Sequence, residues 1–144
     1  MNWKHIKENH PKAWGSLIFF IGMRYGMSPE IGGKSFLVLY GSSGEYRDNM
    51  PFPIRDLYDF FDEQGIFINT NAIEIKYGGC QDCYEVQGFG IEIVSKETHI
   101  LFEEHTKEDK SIWCGVSPIH TTRTDAEIVA FTKAFEILEH KLNK

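Results

Sequence analysis

The sequence predicts an α+β fold: a two-layer sandwich in which a central and a C-terminal helix pack on one face of an antiparallel sheet, with an N-terminal helical segment. Apolar residues recur at helical spacing near the C-terminus and again after residue 53, and between these segments the period changes to the alternation of a strand. A chain of 144 residues that is 42% hydrophobic can bury one core, so we expect a single domain over residues 1–144.

The C-terminal helix carries the clearest pattern. Its apolar positions, three or four residues apart, are Ile128, Phe131, Phe135, Leu138 and Leu142. They form one face that must be buried against another layer. Thr124 precedes Glu127 by three residues, the spacing of a capping box, in which each side chain satisfies a backbone N–H at the helix start. The pattern therefore predicts a helix capped by Thr124.

The central helix is predicted between Pro53, which suits a first helical turn, and Gly65, which suits a position just past a helix end. Leu57, Phe60 and Phe61 mark its buried side. Most of its acidic residues lie off that side, so the segment is amphipathic.

Strands are predicted between these helices. Ile73, Ile75 and Tyr77 alternate with charged residues, as in a strand with one wet face, and residues 66–68 either begin this strand or precede it. In a second strand around Phe89–Ile93 the alternation changes phase at two glycines, which predicts a bulge there. Two further strands are predicted at residues 98–103 and 111–116, with a charged turn at residues 107–110 between them.

The N-terminal third begins with apolar residues at helical spacing that are interrupted at Pro11. Two helices or one kinked helix fit this pattern, and Pro11 favours a new start because proline suits a first helical turn. Residues 36–40 predict a buried strand, and residues 41–53 predict a long loop that is a candidate binding edge. Whether this third extends the sheet or covers its second face stays open.

The segment Leu57–Ile66, the hairpins after it, and the stretch from Thr122 to Glu127 leading into residues 134–139 resemble small uncharacterised proteins of bacteriophages and gut bacteria. The resemblance covers residues 54–143 and rests on helix caps and apolar stripes. It implies a phage or mobile-element origin, and it carries over no site residues.

A Cys-x-x-Cys pair, Cys80 and Cys83, is the best chemical candidate, because a tight turn presenting two thiolates is how many zinc sites begin. The other ligands would be Cys114 and His120, with His99 and His105 as substitutes. Reduced thiols in a turn and a core Cys114 are the alternative interpretation. Zinc is thus a candidate cofactor, and a small zinc-binding regulatory or nucleic-acid-associated module is the alternative function.

Catalytic motifs are incomplete. Residues 32–35, Gly-Gly-Lys-Ser, lack the earlier glycine and the following helix of a phosphate-binding loop. Glu103, Glu104 and His105 combine carboxylates with an imidazole, but they lie at a strand end before a charged turn, where nothing brings a base to a nucleophile. We therefore expect no catalytic residues and no enzyme activity.

Aromatic residues are concentrated in the N-terminal third, and aromatic side chains dominate protein-interface hot spots. The predicted interaction residues are Trp3, Trp14, Tyr40, Tyr46 and Phe52. We therefore expect a protein-interaction module, either for a separate partner or for self-association as a homodimer that protects a sheet edge.

Charge and hydropathy exclude other classes. Residues 56–144 hold 17 Asp and Glu against eight Lys and Arg, within a net charge of −6, so this part should repel nucleic acid phosphates. The apolar run at residues 17–23 is shorter than the roughly 20 residues of a membrane helix. The N-terminus lacks the pattern of a secretion signal, so we expect a cytoplasmic protein.

Overall fold

The computed structural model describes residues 1–25, 54–75, 86–111 and 116–144. Within these ranges the protein is an α+β fold, as predicted. The helices are α1 (Trp3–Asn9), α2 (Pro11–Arg24), α3 (Ile54–Glu63) and α4 (Arg123–Leu142). The strands are β1 (Ile66–Ile75), β2 (Val86–Ser95), β3 (Ile100–Glu104), β4 (Thr106–Glu108) and β5 (Val116–Pro118). No helix of the described ranges is long and apolar enough to cross a bilayer.

The described residues divide into two compact units. The first comprises those within Met1–Ile66 and Thr132–Lys144, and the second those within Phe67–Phe131. Helix α4 belongs to both, because the boundary falls after Phe131. The single domain expected from the sequence stays a prediction. The predicted strand at 36–40 and loop at 41–53 lie outside the described residues.

The N-terminus forms two helices, which decides between the two alternatives. The side chain of Asn2 caps α1 by accepting a hydrogen bond from the backbone N–H of His5 at 3.0 Å. Helix α1 ends at Asn9, and α2 starts with Pro11 in its first turn. Ile6 and Leu17 are fully buried, so both helices contribute to the core of the first unit.

Helix α3 follows the sequence prediction closely. Leu57, Phe60 and Phe61 are fully buried. Gly65 lies just past the helix with φ 71°, a left-handed conformation that glycine adopts without steric cost. The helix therefore ends where the glycine permits the backbone to leave the helical conformation before β1.

Aromatic rings fill the core of the first unit. Phe135 of α4 packs edge-on against Phe61 at a centroid distance of 4.9 Å and against Trp3 at 6.2 Å. Phe60 and Phe61 lie 4.9 Å apart. Burial of each ring contributes roughly 1.5–3 kcal/mol, and such pairs add a further fraction of that. These contacts join α1, α3 and the last part of α4.

The second unit contains a three-stranded sheet of order β1-β2-β3, with β2 and β3 antiparallel. Ile93 lies opposite Phe102, and the next residue, Val94, lies opposite Ile100. Leu101 is therefore the extra residue of a bulge in β3. The bulge predicted at the two glycines of β2 stays a prediction, and any Cβ at Gly88 would overlap with the ring of Pro118. This glycine allows close approach between β2 and the end of β5.

The predicted turn at residues 107–110 is partly wrong. Thr106 lies opposite Pro118 and Glu108 opposite Val116, so part of the predicted turn at 107–110 is a strand paired with β5. All three β4 residues are exposed, and their polarity therefore suits a strand at the surface. The turn itself starts at Asp109, whose carboxylate accepts a hydrogen bond from the Ser111 N–H at 3.0 Å.

The cap of α4 also differs from the prediction. Thr122, not Thr124, precedes the helix, and its Oγ1 accepts a hydrogen bond from the Asp125 N–H at 3.1 Å. The Thr122 hydroxyl donates to the Asp125 carboxylate at 2.7 Å. Glu127 instead forms an ion pair with Arg123 at 2.8 Å. The sequence contains two Thr-x-x-acid patterns two residues apart, and the helix uses the first.

Candidate functional site

A groove of about 630 Å³ lies beside α2 in the first unit. Its lining is largely apolar and includes two charged side chains. The lining residues are Lys12, Gly15, Ser16, Phe19, Phe20, Met23, Glu63, Gln64 and Leu142. This volume falls within the usual range of about 300–1,000 Å³ for binding pockets.

Helix α2 has two apolar stripes, one of which is buried and the other exposed. Leu17 and Ile21, four residues apart, are buried in the core. Phe19 and Met23, also four residues apart, line the groove and are 53% and 62% exposed. Because residues four apart share a helix face, the second stripe is a continuous apolar surface open to solvent.

Gly15 continues the exposed stripe one turn before Phe19. A Cβ built at Gly15 would have no neighbouring atom within 4 Å. There is therefore open space at this position for a Cβ atom. A glycine inside a helix costs about 1 kcal/mol relative to alanine.

Two lysine side chains form hydrogen bonds with carbonyls of groove residues. The Lys12 ammonium donates to the carbonyl of Leu142 at 3.1 Å, and Lys141 donates to the carbonyl of Gln64 at 2.8 Å. Both lysines thus satisfy acceptors that a helix end leaves without an intrahelical partner. They tie the end of α4 to α2 and to the residue after α3.

An ionic cluster joins α2 to α3 at the opposite end of α2. Arg24 pairs with the Asp59 carboxylate at 2.7 Å and with Asp56 at 3.2 Å. The Tyr25 hydroxyl donates to the second oxygen of Asp56 at 2.7 Å. Asp56 is only 3% exposed, and these two partners offset the cost of burying its charge. The hydrogen bond to Asp59 is the main cause of a raised pKa at Arg24.

The end of α3 beside the groove is acidic. Glu63 lines the groove, and the last turn of α3 contains no basic residue. Burial, followed by the neighbouring Asp59, raises the pKa of the Asp62 carboxyl above its ordinary value. Carboxylates at the carbonyl end of a helix are also disfavoured by the helix dipole. The acidic end is therefore locally unfavourable for the fold.

The second unit contains a pair formed by His120 and Glu104. The imidazole Nε2 lies 3.1 Å from the carboxylate Oε2, and the His120 side chain is 9% exposed. Because a carboxylate only accepts hydrogen bonds, Nε2 is the donor. The carbonyl of His120 accepts a hydrogen bond from the Phe89 N–H at 2.8 Å, which fixes the histidine backbone against β2.

Glu103 and His105, which were also considered from the sequence, adjoin Glu104 in the chain. His105 packs over Gly90, with its Nε2 3.9 Å from the Glu103 carboxylate. Glu103 lies directly opposite Glu92 on β2. Two facing carboxylates repel each other, so this arrangement costs stability.

The structure describes some of the predicted site residues. Trp3 and Trp14 are 2% and 8% exposed, with their ring centroids 5.8 Å apart in the core of the first unit. The other predicted interaction residues and the cysteines lie outside the described ranges; they are Tyr40, Tyr46, Phe52, Cys80, Cys83 and Cys114. Of the predicted zinc ligands, His120 is described, and its Nε2 is occupied by Glu104.

Metal binding is not supported by the part of the chain that the structure describes, where no group of three or more His, Cys, Asp or Glu side chains could hold an ion. Since the cysteines lie outside that part, the zinc site stays a prediction. The His120–Glu104 pair links residues 16 apart, and no spacing rule would have found it. The exposed stripe of α2 is visible in the sequence as Gly15, Phe19 and Met23, four residues apart.

Comparisons with protein-family models, with curated proteins and with solved structures found no match. The resemblance to phage and gut-bacterial proteins therefore stays a prediction.

Proposed function

We propose that this protein is a non-enzymatic protein-interaction module that binds its partner in the groove beside α2. The observation that carries the proposal is the exposure of Phe19 and Met23, at 53% and 62%, on one face of a helix whose opposite face is buried. Exposed apolar surface costs free energy in water, and a contiguous patch of it marks binding surfaces.

The chemical character of the groove favours a protein partner over a reaction. Aromatic and methionine side chains are enriched at the centres of protein interfaces, and methionine adapts its shape to different partners. Of the polar residues in the lining, Lys12 is bound to the Leu142 carbonyl. The apolar character of most of the lining therefore supports recognition of a protein partner.

This surface lies on the helix that contains Trp14 but on different residues from those predicted. Trp14 and Trp3 support the groove from inside, because the core they build with Phe135 holds α2 in place. Self-association through the groove is a variant of the same proposal.

Gly15 offers a sharp test. Gly15→Arg places a long charged side chain over the groove, and Gly15→Ala is the matched control that leaves the groove open. Both residues favour a helix more than glycine does, so neither should unfold the protein. Circular dichroism and urea unfolding would verify that both variants are folded.

The readout is quantitative capture of binding proteins by the full chain. We expect proteins recovered by the wild type and by Gly15→Ala to be depleted at least tenfold with Gly15→Arg. Equal recovery with all three chains would contradict the proposal. Hydroxyl-radical footprinting adds an internal control, because Phe19 should be oxidised and the buried Phe60 protected.

A further inference from the structure

We infer that the junction between α1 and α2 is an acid-sensitive hinge, in which protonation of the His5 and His10 imidazoles raises the population of chains whose α1 has opened from its packed position. This inference is independent of the groove beside α2. It rests on the placement of two imidazoles, an amide and two carboxylates around the residue that joins the two helices.

Helix α1 depends on its packing against the rest of the first unit. It has seven residues, and isolated helices shorter than about 12–15 residues are marginal in water. Trp3 and Ile6 are buried, so contacts with other elements hold the helix. A small loss of this packing free energy therefore increases the fraction of chains in which α1 has opened.

His10 is the single residue between the two helices, because α1 ends at Asn9 and α2 begins at Pro11. Its backbone N–H donates to the Ile6 carbonyl at 2.8 Å, and its carbonyl accepts from the Trp14 N–H at 2.8 Å. Both helices are therefore hydrogen-bonded to the same residue. A movement of His10 changes the end of α1 and the start of α2 together.

The contact between Asn9 and His5 requires a neutral imidazole. The Asn9 amide nitrogen lies 2.9 Å from the carbonyl oxygen of His5 and 3.0 Å from its ring Nδ1. Because a carbonyl only accepts hydrogen bonds, the amide NH₂ faces both atoms, and Nδ1 is an unprotonated acceptor. Protonation at Nδ1 would place two donors against each other and break this hydrogen bond.

The ring of His10 interacts with titratable groups of α1 and α4. His5 of α1 lies edge-on to it, with the ring centroids 6.3 Å apart, and Glu139 and Glu136 of α4 supply negative charge. Burial has the largest effect and lowers the pKa of His10, whereas Glu139 and then Glu136 raise it and His5 lowers it. The net direction is downward from the ordinary value of 6.5, so the two carboxylates do not offset burial fully.

The direction of the pH effect follows from this lowered pKa. Protonated His10 is less stable in the folded than in the unfolded chain, so its contribution to stability is complete above the ordinary pKa of 6.5 and is lost as the pH falls through the lowered value. Loss of the hydrogen bond between Asn9 and His5 acts in the same direction. Mild acid should therefore open α1, and neutral pH should keep it packed.

Amide hydrogen exchange of the full chain, measured by NMR, tests the inference. Exchange rates at about pH 5.5 and 7.5 would be corrected for the intrinsic pH dependence of exchange, so that they report the opening equilibrium. We expect this equilibrium to shift towards the open form by at least about threefold at the lower pH for the Ile6 and His10 amides. The Phe135 amide of α4 should respond less than half as much.

Three variants separate the imidazoles from other titrating groups. The double variant His5→Gln/His10→Gln should abolish the response of α1, and the control His99→Gln, at an exposed position of the second unit, should retain it. In Asn9→Asp the new carboxylate can accept a hydrogen bond from the protonated Nδ1 of His5. We therefore expect Asn9→Asp to reduce the response at least by half.

An opening equilibrium of α1 that is equal at both pH values would overturn the inference, as would a response that the double variant retains. The imidazole NMR shifts of the wild-type chain give a test that needs no variant. We expect His10 to titrate below pH 6.5, with the α1 amide shifts following the same midpoint. A His10 midpoint at or above 6.5 would also overturn the inference.

Discussion

Glu139 caps helix α2 from the far end of the chain: its carboxylate accepts a hydrogen bond from the Ala13 backbone N–H at 2.8 Å, across 126 residues. The residue before α2, His10, makes no capping hydrogen bond with its own side chain. A buried backbone donor in the first turn of α2 therefore depends on α4. The helix that carries the groove is held in place by this contact.

Removing this cap should destabilise the protein. We expect Glu139→Ala to lower the free energy of unfolding by about 1–3 kcal/mol, because it leaves the buried Ala13 N–H without an acceptor. Glu139→Gln keeps an oxygen acceptor and should lose less than half as much. Urea unfolding at 25 °C measures both. The control is Glu136→Ala on the same helix, which should change stability by less than about 0.5 kcal/mol; equal losses at the two positions would rule out the cap.

Two glycines should respond in opposite directions to alanine. In Gly88→Ala the new methyl group would overlap with Pro118, so we expect a loss of about 1–3 kcal/mol. In Gly15→Ala the methyl group meets open space, and the higher helix propensity should add about 1 kcal/mol. Thermal unfolding of the two variants gives the comparison. A lower melting temperature for Gly15→Ala would contradict the open space around this position.

The facing pair Glu92 and Glu103 should be improved by charge reversal. We expect Glu103→Lys to raise stability by about 0.2–1 kcal/mol, since opposite charges replace like charges across β2 and β3. The contact of Glu103 with His105 at 3.9 Å is exposed and should contribute little. The gain should shrink in 1 M NaCl because salt screens exposed charges. The double variant Glu92→Lys/Glu103→Lys is the control, and a gain as large there would refute the electrostatic explanation.

Asp62 should give a pH-dependent effect. Its pKa is raised in the folded protein, by burial first and by Asp59 second, so its charged form is less stable in the folded than in the unfolded chain. Its contribution to stability is therefore present below the ordinary pKa of 3.8 and lost as the pH rises through the raised value. We expect Asp62→Asn to stabilise the protein slightly at pH 7, because the side chain is only partly shielded from solvent, and to have no such effect at pH 3. Urea unfolding at both pH values measures the difference, and an equal gain at pH 3 would exclude ionisation as the cause.

Local patterns predicted the helices and strands well where one residue sets the backbone. Pro11 starts a helix because its ring fixes φ, and Gly65 ends one because it tolerates positive φ. The cap of α4 was predicted wrongly because Thr122 and Thr124 have the same spacing to an acidic residue, and this spacing alone does not distinguish them. The turn at 107–110 was predicted from charge, but Lys107 and Glu108 are charged because β4 is an exposed strand.

The candidate site was harder to predict from the sequence than the helices were. The N-terminal third of the chain is predicted to be the interaction region because of its aromatic residues. Its described tryptophans, Trp3 and Trp14, are instead core residues that pack against each other, and Trp3 also packs against Phe135. Periodicity shows that α2 has two apolar stripes, but it does not show which of them another element covers. That depends on the neighbours of α2, which come from distant parts of the chain.

The α+β class and the approximate positions of the described helices and of β1 to β3 could be read from the sequence, because these follow from local backbone preferences and from the period of apolar residues. The burial of Leu17 and Ile21 and the exposure of Phe19 and Met23 became visible only in the three-dimensional packing. The same is true of the hydrogen bond from the Ala13 N–H to Glu139 and of the hydrogen bond between His120 and Glu104. Burial and buried hydrogen bonds depend on how two elements pack against each other. Because the packed segments are far apart in the sequence, local patterns do not reveal them.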